Sequence, residues 1–243
     1  MIKSAPEYSE EISRAVHSHF NAVIEGESGV GKQYLAGLIH RERRWGGEFV
    51  VFDCQGTPKE QTNVVEQLLS PPFLGQPAGK NTLFIRRIDL LEGYLLARFC
   101  DSLGELSSRK TLPRSQLLNL GLIGSLLTAE DDKYEDRIQL HRLLNSLFCL
   151  KIRILPLRER KRDLPRLVET FISLFNKEQK RQIRGITGEA LGVLSRYAWP
   201  DNVRQLRMEI ERAVTLTGDG EVIQPSALSH NLVEWVSNVR LVR

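Results

Sequence analysis

Residues 22–40 read AVIEGESGVGKQYLAGLIH, and this stretch decides the fold. Ala22 to Ile24 is a short apolar run of the kind that forms a buried strand. Leu35, Leu38 and Ile39 recur at helical spacing, so a helix follows. Between them GESGVGK (26–32) matches the pattern G-x-x-x-x-G-K. Gly26, Gly29 and Gly31 have no Cβ and can take the positive-φ geometry in which successive backbone N–H groups converge on phosphate oxygens. The helix that follows turns its positive dipole end toward the same anion. Lys32 stands where it would reach the β- and γ-phosphates of a nucleotide. The candidate nucleotide-binding residues are therefore Gly26, Glu27, Ser28, Gly29, Val30, Gly31, Lys32 and Gln33. Gln33 occupies the position where Ser or Thr commonly ligates Mg²⁺. An amide is a weaker ligand, so a role for Mg²⁺ stays open.

Outward from this stretch, Ile12, Ala15, Val16 and Phe20 predict a preceding helix. Phe49 to Phe52 and Thr82 to Ile85 read as strands, as do residues 120–127 and 149–155. Residues 70–81 concentrate Pro and Gly and read as a loop. Residues 92–107 read as a helix. Strands alternating with helices imply a parallel sheet with crossover connections. From about residue 163 the pattern changes. Leu164, Leu167, Val168, Phe171, Ile172 and Phe175 form a long apolar stripe. Thr187 is placed to cap a second helix. After Pro200, Asn202 is placed to cap a third, with Val203, Leu206, Ile210 and Ala213 on one face. The expected division is an α/β domain over 1–160, a small helical domain over 161–230 and a tail over 231–243.

The 243 residues are 41% hydrophobic and 26% charged, ordinary values for a globular chain. The net charge of +4 permits contact with nucleotides or nucleic acid without requiring it. The basic runs at 41–44 and 158–162 are interrupted by Glu and read as solvated faces. Cys54, Cys100 and Cys149 are too far apart for a zinc site or a disulfide framework, which fits a reducing cytoplasm. No apolar run approaches the roughly 20 residues of a membrane span. The first 20 residues do not resemble a signal peptide.

Several segments resemble the AAA+ domain of the sigma-54-dependent transcription activators, the bacterial enhancer-binding proteins. GESGVGK with the helix through LIH (38–40) looks like that family's P-loop segment, and FVVFDC (49–54) like its second strand. LPLRERKRDLPRL (155–167) resembles its junction to the lid. YAWPDNVRQLRMEIERAV (197–214) closely resembles its lid-helix signature. The resemblance implies a P-loop AAA+ parallel sheet flanked by helices and followed by a small all-helical lid. It also implies an ATP-dependent ring oligomer, with ATP or ADP held near the P-loop and lid. By resemblance, Arg204 is the lid arginine that senses nucleotide phosphates.

The departures are equally specific. The family's strand motif resembles GTLFLDE, and this chain reads NTLFIRR (81–87). Arg86 and Arg87 thus stand where the resemblance expects the Mg²⁺ ligand and the acid that polarises water. A guanidinium neither accepts a proton nor binds a cation. Asp89 lies three residues beyond the acidic position, and its rescue of the site needs a bulge. The family's Thr-Asn sensor pair aligns with SLLT (125–128). The trans-acting arginine positions fall on Leu140 and Ser146, with Arg137 and Arg142 nearby but out of register. The segment between Cys54 and Asn81 is too short for the sigma-contact GAFTGA loop. Residues 229–243 are too short for a helix-turn-helix, so no DNA-binding element is expected within this chain.

The expected function is a nucleotide-binding transcription-regulator module that has lost hydrolysis, a regulatory pseudo-ATPase with no catalytic residue and no metal site. Its expected partners are the transcription machinery or a regulatory protein, with self-association allowed. Two alternatives stay open: an active ATPase using Asp89 or Glu92, and a protein-interaction module that binds no nucleotide. In the second, Arg86 and Arg87 could also project toward the phosphate position in place of Mg²⁺.

Overall fold

A computed structural model describes residues 9–18, 20–68, 80–91, 94–95, 97–98, 120–128, 145 and 148–234. Of the expected loop over 70–81, Lys80 and Asn81 instead open a strand, and the rest, with most of the expected helix over 92–107, lies outside the described residues. The chain divides into two compact units, one of residues 1–26 and 32–154, the other of residues 27–31 and 155–243.

The first unit is built on five strands: β1 (Ala22–Glu25), β2 (Gly46–Asp53), β3 (Lys80–Arg86), β4 (Leu120–Leu126) and β5 (Leu150–Arg153). Their order across the sheet is β2-β3-β4-β1-β5, and every pairing is parallel. Three helices are described with it: α1 (Ser9–His17), α2 (Lys32–Arg43) and α3 (Pro58–Leu68). Parallel sheets are covered on both faces, so their central strands read as continuous apolar runs rather than alternating ones. Ala22–Ile24, Leu83–Ile85 and Leu122–Ile123 are accordingly buried without alternation. The edge strand β5 alternates, with only Ile152 buried within it.

Two expectations are corrected here. The predicted first helix ends at His17, so Phe20 lies beyond it and its side chain is exposed. The basic run at 41–44 is not uniformly solvated, because Arg43 is only 7% exposed. Its guanidinium donates to the carbonyls of Ala15 and Phe20, each at 2.9 Å, and lies over the Trp45 ring at 4.4 Å. Burial pushes its pKa down to about 10, which still leaves it charged at neutral pH. Arg43 therefore anchors α1 and the turn into β1 against α2.

The second unit holds α4 (Leu164–Glu178), α5 (Gly188–Arg196) and α6 (Asn202–Leu216). A two-residue parallel ribbon joins them, β6 (Gly185–Ile186) with β7 (Val222–Ile223). One apolar core runs through the helices, including Leu164, Val168, Ile172, Phe175, Trp199, Leu206 and Ile210. Leu232 belongs to this core, so it extends past residue 230. Thr187 caps α5 by accepting a hydrogen bond from the Ala190 N–H at 3.2 Å. Asn202 does not cap α6. Asp201 holds the cap position without a side-chain bond, and Asn202 is left-handed at φ 52° with its amide directed elsewhere. Among the described residues no helix is long and apolar enough to cross a membrane.

Phe175 is fully buried, with Phe171 and the Arg207 guanidinium against its ring. Phe175→Ala is expected to lower stability by about 3–5 kcal/mol, read from the urea-unfolding midpoint.

Candidate functional site

In the sheet order β1 and β4 are neighbours, and their connections leave in opposite directions, β1 toward β2 and β4 toward β5. Open α/β sheets bind ligands at the carboxyl ends of strands where the order reverses in this way. The phosphate loop begins at this point, directly after Glu25.

The loop is shaped by where its carbonyls are tied. Gly26 O accepts from Lys32 Nζ and, more weakly, from the Thr128 N–H. Ser28 O accepts from Asn202 Nδ2 at 2.9 Å, Gly29 O from the Arg204 N–H at 3.2 Å, and Val30 O from Arg160 Nη2 at 2.8 Å. In a planar trans peptide the N–H points opposite to the C=O. Tying the carbonyls of residues 28, 29 and 30 therefore turns the N–H groups of Gly29, Val30 and Gly31 the other way. Those three N–H groups have no acceptor among the described residues. Converging free N–H groups of this kind form an anion-binding nest. Gly29 and Gly31 carry φ values of 74° and 105°. A Cβ at Gly31 would meet nothing within 4 Å, whereas one at Gly29 would lie 2.1 Å from the Asp201 carbonyl oxygen.

Glu27 anchors the loop's other side. Its carboxylate takes a two-pronged bond from Arg158 at 2.8 and 2.6 Å, and a third from Asn202 Nδ2 at 3.0 Å. Asn202 Oδ1 in turn accepts from the Leu157 N–H at 2.7 Å. The basic run at 158–162 is thus partly committed to the loop rather than solvated, through Arg158 and Arg160. Sequence reasoning missed Arg158, Arg160 and Asn202 as loop partners. Their only signal was an Arg, an Arg and an Asn in two segments over 120 residues downstream. Arg204 sits in the first turn of α6 with its side chain exposed. Its guanidinium makes no hydrogen bond or ion pair among the described residues. Gln33 is exposed on α2.

The aligned acidic positions are cationic and occupied. Asp53, the last residue of β2, pairs in register with Arg86 and binds Arg86 Nη1 through Oδ2 at 2.9 Å. Arg87 leaves the strand in a left-handed conformation, φ 57° and ψ 51°, and a 3₁₀ turn over Ile88–Leu90 follows. That turn brings Asp89 back so that Arg87 Nε and Nη2 grip its carboxylate at 2.8–3.1 Å. The Arg87 N–H donates to Ser125 Oγ at 3.1 Å, so the first residue of SLLT supports this corner. Cys54 lies beside it, buried, and its thiol is pushed up to about 12, chiefly by burial and then by Asp53 and Asp89. Neither arginine is a free cation, and Asp89 is not a free base. Among the described residues no group of three or more His, Cys, Asp or Glu side chains could hold a metal ion. Arg86 and Arg87 offer no metal ligand, and Gln33 offers only an amide oxygen. Glu92, Arg137, Leu140, Arg142 and Ser146 lie outside the described residues.

A strand, a glycine loop and a helix at the reversal point of a five-stranded parallel sheet, with a helical unit following in the chain, define a P-loop AAA+ α/β protein with a lid. Residues 2–73 match the sigma-54 interaction domain family, and residues 158–240 match the AAA+ ATPase lid domain family. The first match falls mainly in the α/β unit and the second in the helical unit, so the chain is similar to both families in turn. It is 32% identical over 228 residues to the nitrogen fixation protein VnfA of Azotobacter vinelandii, covering 87% of this chain and 43% of that one. It is 28% identical over 249 residues to the transcriptional regulatory protein XylR of Pseudomonas putida, covering 96% of this chain and 43% of that one. The chain spans about half the length of the curated relatives it matches. Among solved structures, NtrX of Brucella abortus in complex with ADP superposes with a TM-score of 0.73 at 21% identity, over 94% of this chain and 53% of that one.

Gly29→Ala is expected to cost about 2–4 kcal/mol, because backbone strain and a clash with Asp201 add, while Gly31→Ala meets open space and costs about 1–2 kcal/mol. Equilibrium unfolding of both variants measures the difference. The two reversed arginines should also separate. The Arg87–Asp89 side chains are 20% and 14% exposed, and the Arg86–Asp53 side chains 38% each. Arg87→Ala is expected to destabilise by about 1–3 kcal/mol by stranding Asp89, and Arg86→Ala by under about 1 kcal/mol.

Proposed function

We propose that this chain is a nucleotide-binding regulatory module of the sigma-54 activator type that holds ATP or ADP without turning it over. The observation that carries the reading is a contrast. The loop presents three unengaged N–H groups beside a glycine with open space, as a phosphate requires. The aligned acid positions instead carry arginines already neutralised by Asp53 and Asp89. The N–H groups of residues 29–31 would bind the phosphate oxygens, and the start of α2 would add its dipole. Lys32 would exchange its bond to Gly26 O for a phosphate. The exposed Arg204 would read the terminal phosphate. Phosphoryl transfer to water needs a group that orients water and a cation that neutralises developing charge at the transferred group. Arg86, Arg87 and the engaged Asp89 supply no base, and the two arginines supply no metal ligand.

The module would act in the cytoplasm, where its cysteines stay reduced. Its partners would be a regulatory protein or the transcription machinery, with self-association through the AAA+ fold. The alternative of an ATPase using Asp89 is disfavoured by the Arg87–Asp89 pair.

Calorimetric titration with ATP and with ADP, with Mg²⁺ and with EDTA, tests the reading alongside a phosphate-release assay. The expected outcome is binding whose affinity changes by less than about threefold on chelation, no phosphate release, and loss of at least about tenfold in affinity in Lys32→Ala. Turnover that disappears in Lys32→Ala would overturn the reading. If neither nucleotide binds nor raises the melting temperature, a protein-interaction module takes its place.

A further inference from the structure

The loop that would hold phosphate is shaped by one buried amide in a distant segment. Asn202 is 0% exposed and left-handed, a conformation that Asn tolerates better than most residues. Its Oδ1 accepts from a backbone N–H, and its Nδ2 faces a carboxylate and a carbonyl, so the orientation of the amide is fixed by its partners. Both Nδ2 protons are used, one on Glu27 and one on Ser28 O. Glycine would keep the backbone and lose these bonds. Aspartate would keep the acceptor and lose both donors. Asn alone among these three meets all the requirements of the position.

We propose that Asn202 is a positioning residue for nucleotide binding. By fixing the Ser28 carbonyl it aims the Gly29 N–H at the anion, so the affinity of the loop is set from the segment that begins α6. This rests on the nucleotide-binding reading above. The role is separable from holding the fold together. Without Asn202, Glu27 keeps its two bonds to Arg158, Gly29 O keeps Arg204 N–H, and Val30 O keeps Arg160. The peptide between Ser28 and Gly29 is released, and the Leu157 N–H loses its acceptor in variants that lack the side-chain oxygen.

Asn202→Asp and Asn202→Gly test this by ADP titration at several pH values, each compared with the unaltered chain at the same pH. In Asn202→Asp the new carboxylate faces Glu27 and the Ser28 carbonyl. The other charged groups around it are Arg158 on Glu27, Arg160 with Asp163 near Val30, and Asp201 and Arg204 on either side in the chain. Two carboxylates this close share a proton, and one of them titrates at a raised pKa. Affinity relative to the unaltered chain is expected to fall about tenfold at about pH 8 and to recover toward pH 5.5, as the protonated Asp regains a donor. Asn202→Gly takes the same φ without steric strain but strands the buried Leu157 N–H, so its folding is verified first from the urea-unfolding midpoint. It is expected to lose about tenfold at every pH, because it has no proton to regain. If the unaltered chain binds ADP and the folded Asn202→Gly protein binds it equally well, the positioning role is overturned and the nucleotide reading stands. A loss in Asn202→Asp that does not vary with pH also overturns it. If the unaltered chain binds no ADP, both fall together.

Discussion

The constraint on which the site depends is the opposed direction of C=O and N–H in a trans peptide. A loop cannot present its donors to an anion unless its acceptors are satisfied on the other side. Here three successive carbonyls are satisfied by three different groups: the Asn202 amide, the Arg204 backbone and the Arg160 guanidinium. All three come from the segment after residue 155. Glycines at 29 and 31 allow the required backbone angles, and Gly29 also allows the Asp201 carbonyl to approach where any side chain would block it. The glycine pattern makes the nest feasible, and the downstream groups make it the conformation adopted.

The charge reversal at the end of β3 shows the same economy of local compensation. Two adjacent arginines at a strand end would be expected to attract anions or strain the corner. Each instead has a carboxylate within reach, one across the strand pair and one on the following turn. Asp53 and Asp89 convert two strand-end cations, one partly exposed and one more buried, into two neutral pairs. The local field beside Cys54 is consequently shaped by both signs, and the thiol is held protonated mainly by its burial.

Much of this was legible in the residues. The glycine spacing located the loop, the apolar runs at 22–24 and 82–85 located central strands, and the stripe from Leu164 to Phe175 located the first helix of the second unit. Thr187 was legible as a cap because its preference is local. Asn202 was misread for the same reason. Its type suits a helix start, but its partners, Glu27 and Ser28, lie about 175 residues away and leave no trace in a local pattern. Arg43, Arg158 and Arg160 looked like solvated charge because composition cannot tell a surface arginine from one that spans a carbonyl or a carboxylate. Asp53 could be recognised as the partner of Arg86 only once β2 and β3 were known to be adjacent and in register.

The sheet order also sets a timetable for biosynthesis. β1 is made long before its sheet neighbours, which begin at Leu120 and Leu150, with Ala22 paired to Ile123 and to Leu150. As the chain leaves the ribosome, Ala22–Ile24 must wait for more than a hundred further residues before either flank is covered. At roughly 5–20 residues per second that interval is on the order of ten seconds. The glycine loop waits longer still, because its last carbonyl partners, Asn202 and Arg204, are translated about 50 residues after β5 closes the sheet. A nascent chain stopped before that segment would carry the glycine sequence without its shape. The conformation of the loop would thus be set only once the segment through Arg204 has been made, although the glycine motif is translated well before it.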